Sequence, residues 1–392
     1  MKLKMSLLAV MLCLCGTAAA AESTETCLYP ASTEITEAGG YEGGEIALAE
    51  KQLAQMSLEE KVGQLFFVRS EALIGYKTVA DLQSVEKATT KVDKKMLKGL
   101  KQYPVGGVVL FAKNILNPEQ TKQFIAALRQ GSRSKLILAV DEEGGRVARV
   151  ANNPAMGVEN VGFAGNMENV EKAYASGVYI GEYLKALGFD MDLAPVADVL
   201  QNKDNAHIGL RSFGSSPEQC GEMASAYIRG LHEQGILSTV KHFPGKGGWE
   251  KDSHLDFSES PYGLEELEKT QLISFRKAMQ QSDAVMVAHL SLPKIDGKVP
   301  ASLSKPIITG LLRQELGFRG MVITDALAMG AINKHYGHAE AAVMALQAGA
   351  DILLMPEDLG AAYKGVLKAV KNGQITQKQL DHAVLNQLRY KY

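Results

Sequence analysis

Lys241-His242-Phe243-Pro244-Gly245-Lys246-Gly247 is followed within a few residues by Asp252-Ser253-His254, all directly behind the apolar run Ile236-Leu237-Ser238-Thr239-Val240. A buried structural loop has no need of such polar density. A site that handles sugar hydroxyls does, because it needs hydrogen-bond donors and a titratable group that can pass a proton to a leaving oxygen. His254 suits that second role: Asp252, two residues before it, can meet the imidazole in a turn, orient the ring and favour its protonated form. Asp325 closes another apolar run, Val322-Ile323-Thr324, and a carboxylate there would be rigidly held. A retaining glycosidase requires this pair, a carboxylate beneath the anomeric carbon and an acid above the departing oxygen. The acid can sit on a loop that closes over the bound sugar.

Competing chemistries find fewer residues. There is no HExxH motif, the first strand-like run Leu65–Arg69 carries no histidine, and the cysteines have no zinc-site spacing. Gly245-Lys246-Gly247-Gly248 lacks both the Walker spacing and a Ser or Thr after the lysine. No Gly-x-Ser-x-Gly elbow supplies a serine nucleophile.

The elements that must position these groups alternate along the chain. Nearly continuous apolar runs predict strands at 65–68, 107–111, 136–141, 189–198, 237–243, 284–290, 321–325 and 351–355, as parallel strands covered on both faces require. Helical segments separate them. Asn117-Pro118 with Gln120 predicts a capped helix start, Ser57 with Glu60 a capping box, and residues 359–371 and 376–390 two closing helices. Eight such units predict a single-domain α/β fold, the closed (β/α)₈ TIM barrel. The alternative, an open doubly wound sheet, usually carries a glycine-rich turn after its first strand, and none follows here. Asp141, Asp198, Lys241-His242, His289 and Asp325 fall at carboxyl ends of the proposed strands, the face where barrels place their chemistry. The segment 70–103 is long and lysine-rich, an elaborated first connection.

The chain has 392 residues, 46% hydrophobic and 22% charged, with a formal charge of −2. That balance gives no general attraction to nucleic acid or to an anionic membrane, so specific recognition must come from a local site. Lys2, Lys4, the apolar run Leu7–Leu14 and the small residues 17–21 read as an export signal over residues 1–21, so a periplasmic or secreted protein is expected. No later run is long enough to anchor the chain across a membrane. Residues 22–50 read as a mobile arm and 51–392 as the catalytic barrel, acting as a monomer. Once the signal is removed, Cys27 and Cys220 remain, either paired or as two separate thiols.

Together the blocks resemble glycoside hydrolase family 3, in its β-N-acetylglucosaminidase branch of the cell-wall recycling type. The resemblance runs from about Ser57 to about Tyr390. It rests on Met56-Ser57-Leu58-Glu59-Glu60-Lys61-Val62-Gly63-Gln64-Leu65, Asp141-Glu142-Glu143-Gly144-Gly145-Arg146-Val147-x-Arg149, Leu193-Ala194-Pro195-Val196-Ala197-Asp198, Arg211-Ser212-Phe213-Gly214, the Lys241 block with Asp252-Ser253-His254, and Thr324-Asp325-Ala326-Leu327. It implies that Asp325 is the nucleophile and that His254 with Asp252 is the acid/base. It also implies that Asp141, Arg149, Arg211, Lys241 and His242 hold a terminal N-acetylglucosamine, and that no metal or organic cofactor takes part. The substrate it implies is a β-N-acetylglucosaminide, from peptidoglycan turnover or chitin. A β-glucosidase or β-xylosidase of the same family and a non-catalytic wall-sugar binding protein are the alternatives. The chain departs from the branch at Lys246, where a second histidine is usual, and at residues 202–207, which lack the usual prolines.

Overall fold

Period-2 burial organises the centre of the molecule. The computed structural model describes residues 43–248 and 258–392. Eight parallel strands form its middle: β1 (Phe66–Arg69), β2 (Gly107–Leu110), β3 (Ile137–Val140), β4 (Met191–Asp192), β5 (Thr239–Phe243), β6 (Ala284–Val287), β7 (Met321–Thr324) and β8 (Leu353–Leu354). One sheet runs β8-β1-β2-β3-β4 and another β7-β6-β5. Single parallel bridges, Met191 to Leu237, Val196 to Lys241 and Ile323 to Ile352, join the two and close the ring. The predicted barrel is therefore the observed one.

Alternate residues face opposite sides of each strand. Phe67, Val109, Ala139, Met191, Met286 and Ile323 fill the barrel interior. Their neighbours Phe66, Val68, Val108, Leu138, Val285 and Val322 pack outward under the helices. Both faces are dry, which is why the strands read as unbroken apolar runs.

Helix starts follow their local signals. Ser57 and Glu60 form the reciprocal capping box of Leu58–Gln64. The Asn117 side chain accepts from the Gln120 N–H at 3.0 Å, with Pro118 in the first turn of Pro118–Gly131. Three elements differ from the sequence expectation. The run 189–198 is a regular strand only over Met191–Asp192; Pro195 has no N–H to give a ladder, and beyond it pairing persists only as the single Val196–Lys241 bridge. The run 284–290 stops at Val287, and Leu290–Ser291 pairs instead with Ser258–Glu259. The boundary expected at residue 51 falls inside a helix, Gly43–Gln55, whose Ala49 is buried and whose Leu53 packs on the core. That stripe is thin enough, with Leu48 exposed, to be missed by period alone. Residues 1–42 lie outside the described residues, and so do the expected export signal and Cys27. Cys220 is buried as a free thiol and donates to Gly214 O at 3.2 Å. No helix among the described residues is long and apolar enough to cross a membrane.

The amino end of the barrel is closed by the chain's last turn. Lys391, fully enclosed, donates to Gln64 Oε1 at 2.7 Å and Gly106 O at 2.8 Å. Burial pulls its pKa down to about 7.

Helices Val170–Leu187 and Pro217–Glu233 flank β4 and β5 and touch through glycines. A Cβ on Gly177 would lie 2.2 Å from Tyr227 O, and one on Gly230 would lie 2.4 Å from Tyr174 O. Both obstacles are backbone, so a side chain there must push the helices apart. Gly230→Val should destabilise the protein by about 1–3 kcal/mol. Urea unfolding should show this as a lower midpoint, and an unchanged midpoint would contradict the packing.

Candidate active site

The predicted rim residues converge at the carboxyl ends of the strands. A cavity of about 250 Å³ there is lined by Asp141, Arg149, Arg211, Lys241, His242 and Asp325, together with Glu143 and Lys246. These are six of the eight residues expected from sequence. The other two, Asp252 and His254, lie outside the described residues. The chain enters their segment from Gly248, just beyond the cavity-lining Lys246. It emerges at Ser258, which pairs with Leu290 after β6.

Strand β5 explains how two successive residues face one cavity. Pairing with β6 shifts by one residue between Lys241 and Phe243, so two residues oppose one. Such an irregularity re-aims side chains that strict alternation would send to opposite faces. Lys241 and His242 both reach the mouth as a result. After β3, by contrast, alternation is kept. Asp141 and Glu143 share the cavity side, while Glu142 between them points into the protein.

Lys241 Nζ lies 2.7 Å from Asp141 Oδ1 and 2.6 Å from Glu143 Oε1. Arg211 grips the same glutamate with both arms, Nε to Oε2 at 2.8 Å and Nη2 to Oε1 at 2.7 Å. Burial would raise the carboxyl pKa values. Instead Arg211 and Lys241 hold Glu143 far below the ordinary carboxylate range, and Lys241 and Arg149 lower Asp141. Burial likewise opposes the Lys241 ammonium, yet Asp141 and Glu143 raise its pKa. The cluster is thus fully charged.

Arg149 is less satisfied. Its Nη2 is 3.8 Å from Asp141 Oδ2, and its buried Nε has no hydrogen-bond partner. A buried donor left unpaired is costly, and a ligand oxygen would relieve it. Phe111 supports the guanidinium from below: Arg149 lies 5.5 Å from its ring centroid, and Arg69, at the end of β1, lies 3.6 Å from it.

His242 is fixed by Asp198. Nδ1 donates to Asp198 Oδ2 at 2.7 Å, and the His242 N–H reaches the same oxygen at 3.1 Å. Burial, with Lys246 and Arg211, keeps the ring's pKa below its usual value against the pull of Asp198. A neutral ring donating through Nδ1 leaves Nε2 as an acceptor for a hydroxyl. The other Asp198 oxygen accepts from the Lys246 N–H at 2.5 Å. The loop sits so close that a Cβ on Gly247 would lie 1.8 Å from Val199 O, which only glycine permits.

Asp325 follows β7 directly. Its Oδ1 accepts from the Ala326 N–H at 2.8 Å, and Lys246 Nζ is 3.7 Å from Oδ2. Burial would raise this carboxyl, but Lys246 above all, with the Ala326 N–H, holds it well below the usual range. His289, read from sequence as a strand end, lies behind the site and bonds to Ser302 Oγ at 2.6 Å and Ala326 O at 2.9 Å. It steadies the Asp325 turn.

Glu142 performs a similar service for the Asp141 loop. It accepts from the N–H groups of Val150 and Ala151 and from the Tyr183 hydroxyl, each at 2.8 Å. Its own N–H donates to Asp192 Oδ1 at 3.0 Å. Sequence reasoning quoted Glu143 within a motif and gave it no role. The signal for it was the i, i+2 relation to Asp141, which in extended chain places both on one face.

An ionised aspartate beside a preformed array of donors and acceptors, at the mouth of a (β/α)₈ barrel, is the arrangement of a glycoside hydrolase. Residues 57–389 match the family described as Glycosyl hydrolase family 3 N terminal domain, and the chain belongs to that family. It is 38% identical over 267 residues to a beta-hexosaminidase of Pseudomonas aeruginosa strain LESB58, covering 67% of this chain and 78% of that protein. A glycoside hydrolase family 3 beta-N-acetylglucosaminidase from Paenibacillus sp. str. FPU-7 superposes with a TM-score of 0.78 at 35% identity, covering 86% of this chain and 62% of the Paenibacillus chain. A family member from Mycobacterium smegmatis gives 0.71 at 30% identity, covering 87% of this chain and 98% of the other.

Glu143 is the hinge of the charge cluster. Glu143→Gln strands Lys241 and Arg211 with too little negative charge and should destabilise the fold by about 3–5 kcal/mol. Chemical denaturation reads this directly, and a loss below about 1 kcal/mol would show that the cluster does not act as a unit.

Proposed function

We propose that this protein is a retaining exo-β-N-acetylglucosaminidase. It releases terminal β-linked N-acetylglucosamine from peptidoglycan fragments or chitin oligosaccharides. The observation that carries the reading is the convergence of ionised Asp325 with the Asp141–Lys241–Glu143–Arg211 cluster in one cavity. The names of the beta-hexosaminidase and beta-N-acetylglucosaminidase relatives support the same substrate class.

In this reading Asp141 and His242 accept from sugar hydroxyls, while Lys241, Arg211 and Arg149 donate to hydroxyl or acetamido oxygens. Asp325 attacks the anomeric carbon as the bond to the leaving oxygen breaks. His254, oriented by Asp252, gives its proton to that oxygen. Neutral His254 then takes a proton from water, which attacks the glycosyl-aspartate and restores the carboxylate. The protein is exported, a proposal resting on Lys2, Lys4 and the apolar run behind them.

Asp325→Ala should lower turnover of an aryl β-N-acetylglucosaminide by at least about 10⁴-fold, and wild-type rates would defeat the assignment. His254→Ala should harm substrates with poor leaving groups far more than activated aryl glycosides; equal losses on both would remove it as the acid. A side-by-side assay on the aryl glucoside separates the β-glucosidase reading.

Lys246 gives a pH test. It is the foremost group holding the Asp325 pKa down, and only the ionised carboxylate attacks. Lys246→Met removes that charge, so Asp325 takes up a proton at higher pH. The acid limb of kcat/KM should move upward in pH. An acid limb that stays in place would show that Lys246 does not govern the nucleophile.

A further inference from the structure

The lysine-rich first connection is not used by the chemistry above. Six lysines and one aspartate lie between residues 87 and 101, in a chain whose overall charge is −2. Lys87, Lys91, Lys94, Lys95, Lys98 and Lys101 are all exposed. Lys87 is matched by Asp81. None of the other five is ion-paired among the described residues.

The fold gathers these charges onto one surface. Helix Lys94–Gln102 buries Met96, Gly99 and Leu100 and turns Lys94, Lys98 and Lys101 outward at spacings of four and three. The preceding loop folds back against it, with Lys87 Nζ 5.4 Å and Lys95 Nζ 5.8 Å from the centroid of the Tyr76 ring. Two apolar side chains are exposed among the lysines, Val85 at 76% and Leu97 at 36%. Leu97 lies on the outer helix face between Lys94 and Lys101. Residues 70–93 follow the carboxyl end of β1, so the loop part of this surface lies on the rim that carries the cavity, and helix Lys94–Gln102 runs from it along the barrel wall toward β2. Val79 N–H donates to Glu357 just beyond β8, on the same rim.

We propose that this surface docks the enzyme on an anionic lipid bilayer. Unneutralised lysines supply attraction to acidic headgroups, each contributing about fivefold to partitioning close to the surface. A soluble polyanion would use the lysines alone. The exposed Val85 and Leu97, with the Tyr76 ring beneath the ammonium groups, fit a boundary where apolar side chains enter below a charged layer. Docking would hold the cavity mouth near glycan displayed at such a surface.

The test is cosedimentation of the full chain with mixed phosphatidylglycerol–phosphatidylcholine vesicles and with pure phosphatidylcholine vesicles. Binding is expected to the first only, and to fade at about 0.5 M salt, where the screening length shrinks to a few ångströms. The triple variant Lys91→Glu, Lys95→Glu, Lys98→Glu should lose at least about 100-fold in partitioning. Val85→Asp should weaken it severalfold. Both variants should keep the wild-type urea unfolding midpoint, which certifies folding independently of the glycosidase assignment. If the wild type ignores phosphatidylglycerol vesicles, or the triple variant binds them undiminished, the proposal is overturned. Retention on a heparin column without vesicle binding would overturn it as well, reassigning the surface to a soluble polyanion.

Discussion

Lys241 places one ammonium between two carboxylates where water has little access, and the geometry of the site depends on that contact. Its side chain is 2% exposed and that of Glu143 is 5% exposed. Moving such groups from water costs several kcal/mol per ion, so the cluster is tolerable only because each charge meets an opposite one at hydrogen-bond distance. The requirement fixes three backbone segments at once: the end of β3, the bulged end of β5, and the turn at Arg211. A sugar entering the cavity meets donors and acceptors already oriented, with little reorganisation to perform.

Behind the charged layer lies a second one, almost wholly buried, that converts barrel geometry into side-chain positions. Asp198 holds the His242 ring, the His242 N–H and the Lys246 N–H. Glu142 holds two N–H groups of the loop that bears Arg149. Tyr227, reaching from helix Pro217–Glu233, donates to Glu142 O at 2.9 Å and to Asp192 Oδ2 at 3.3 Å. Burial raises the Glu142 and Asp192 carboxyl pKa values. The layer facing the cavity is charged, while Glu142 and Asp192 beneath it are drawn toward neutrality. The boundary follows the availability of cations: Lys241 and Arg211 lie on the cavity side.

Most of the barrel was legible because parallel strands covered on both faces leave an unmistakable trace, four or more apolar residues in a row. The trace fails where chemistry or proline interrupts the ladder. Run 189–198 looks like one long strand, but around Pro195 its pairing thins to the single Val196–Lys241 bridge; run 284–290 contains His289, whose ring bonds to Ser302 and Ala326 O and does not line the cavity. In the site, Asp141, Lys241, His242 and Asp325 were visible as polar endings of apolar runs. Arg149 and Arg211 were reached only through the family resemblance, since neither ends a strand. Glu143 stands in a run of three acids, Asp141 to Glu143, which sequence alone does not divide between cavity and interior. Only pairing geometry separates the outward-facing Asp141 and Glu143 from the inward Glu142.

Lys246 shows how a single departure from a family pattern changes the electrostatics without changing the architecture. Its N–H is held by Asp198 and its carbonyl accepts from Asn205 Nδ2 at 2.7 Å, so the backbone is fixed whatever side chain stands there. A histidine at this position would lose its charge within the ordinary working range of pH, whereas a lysine keeps it. The permanent cation 3.7 Å from Asp325 favours the ionised nucleophile but also stabilises its ground state. That attraction must weaken as the carboxylate gives up charge to the anomeric carbon. Charge is not lost from the site, because positive charge develops on the sugar at the same moment, and the anionic Asp141 and Glu143 lie across the cavity. The balance among these groups, rather than the strength of any one pair, sets how readily Asp325 attacks.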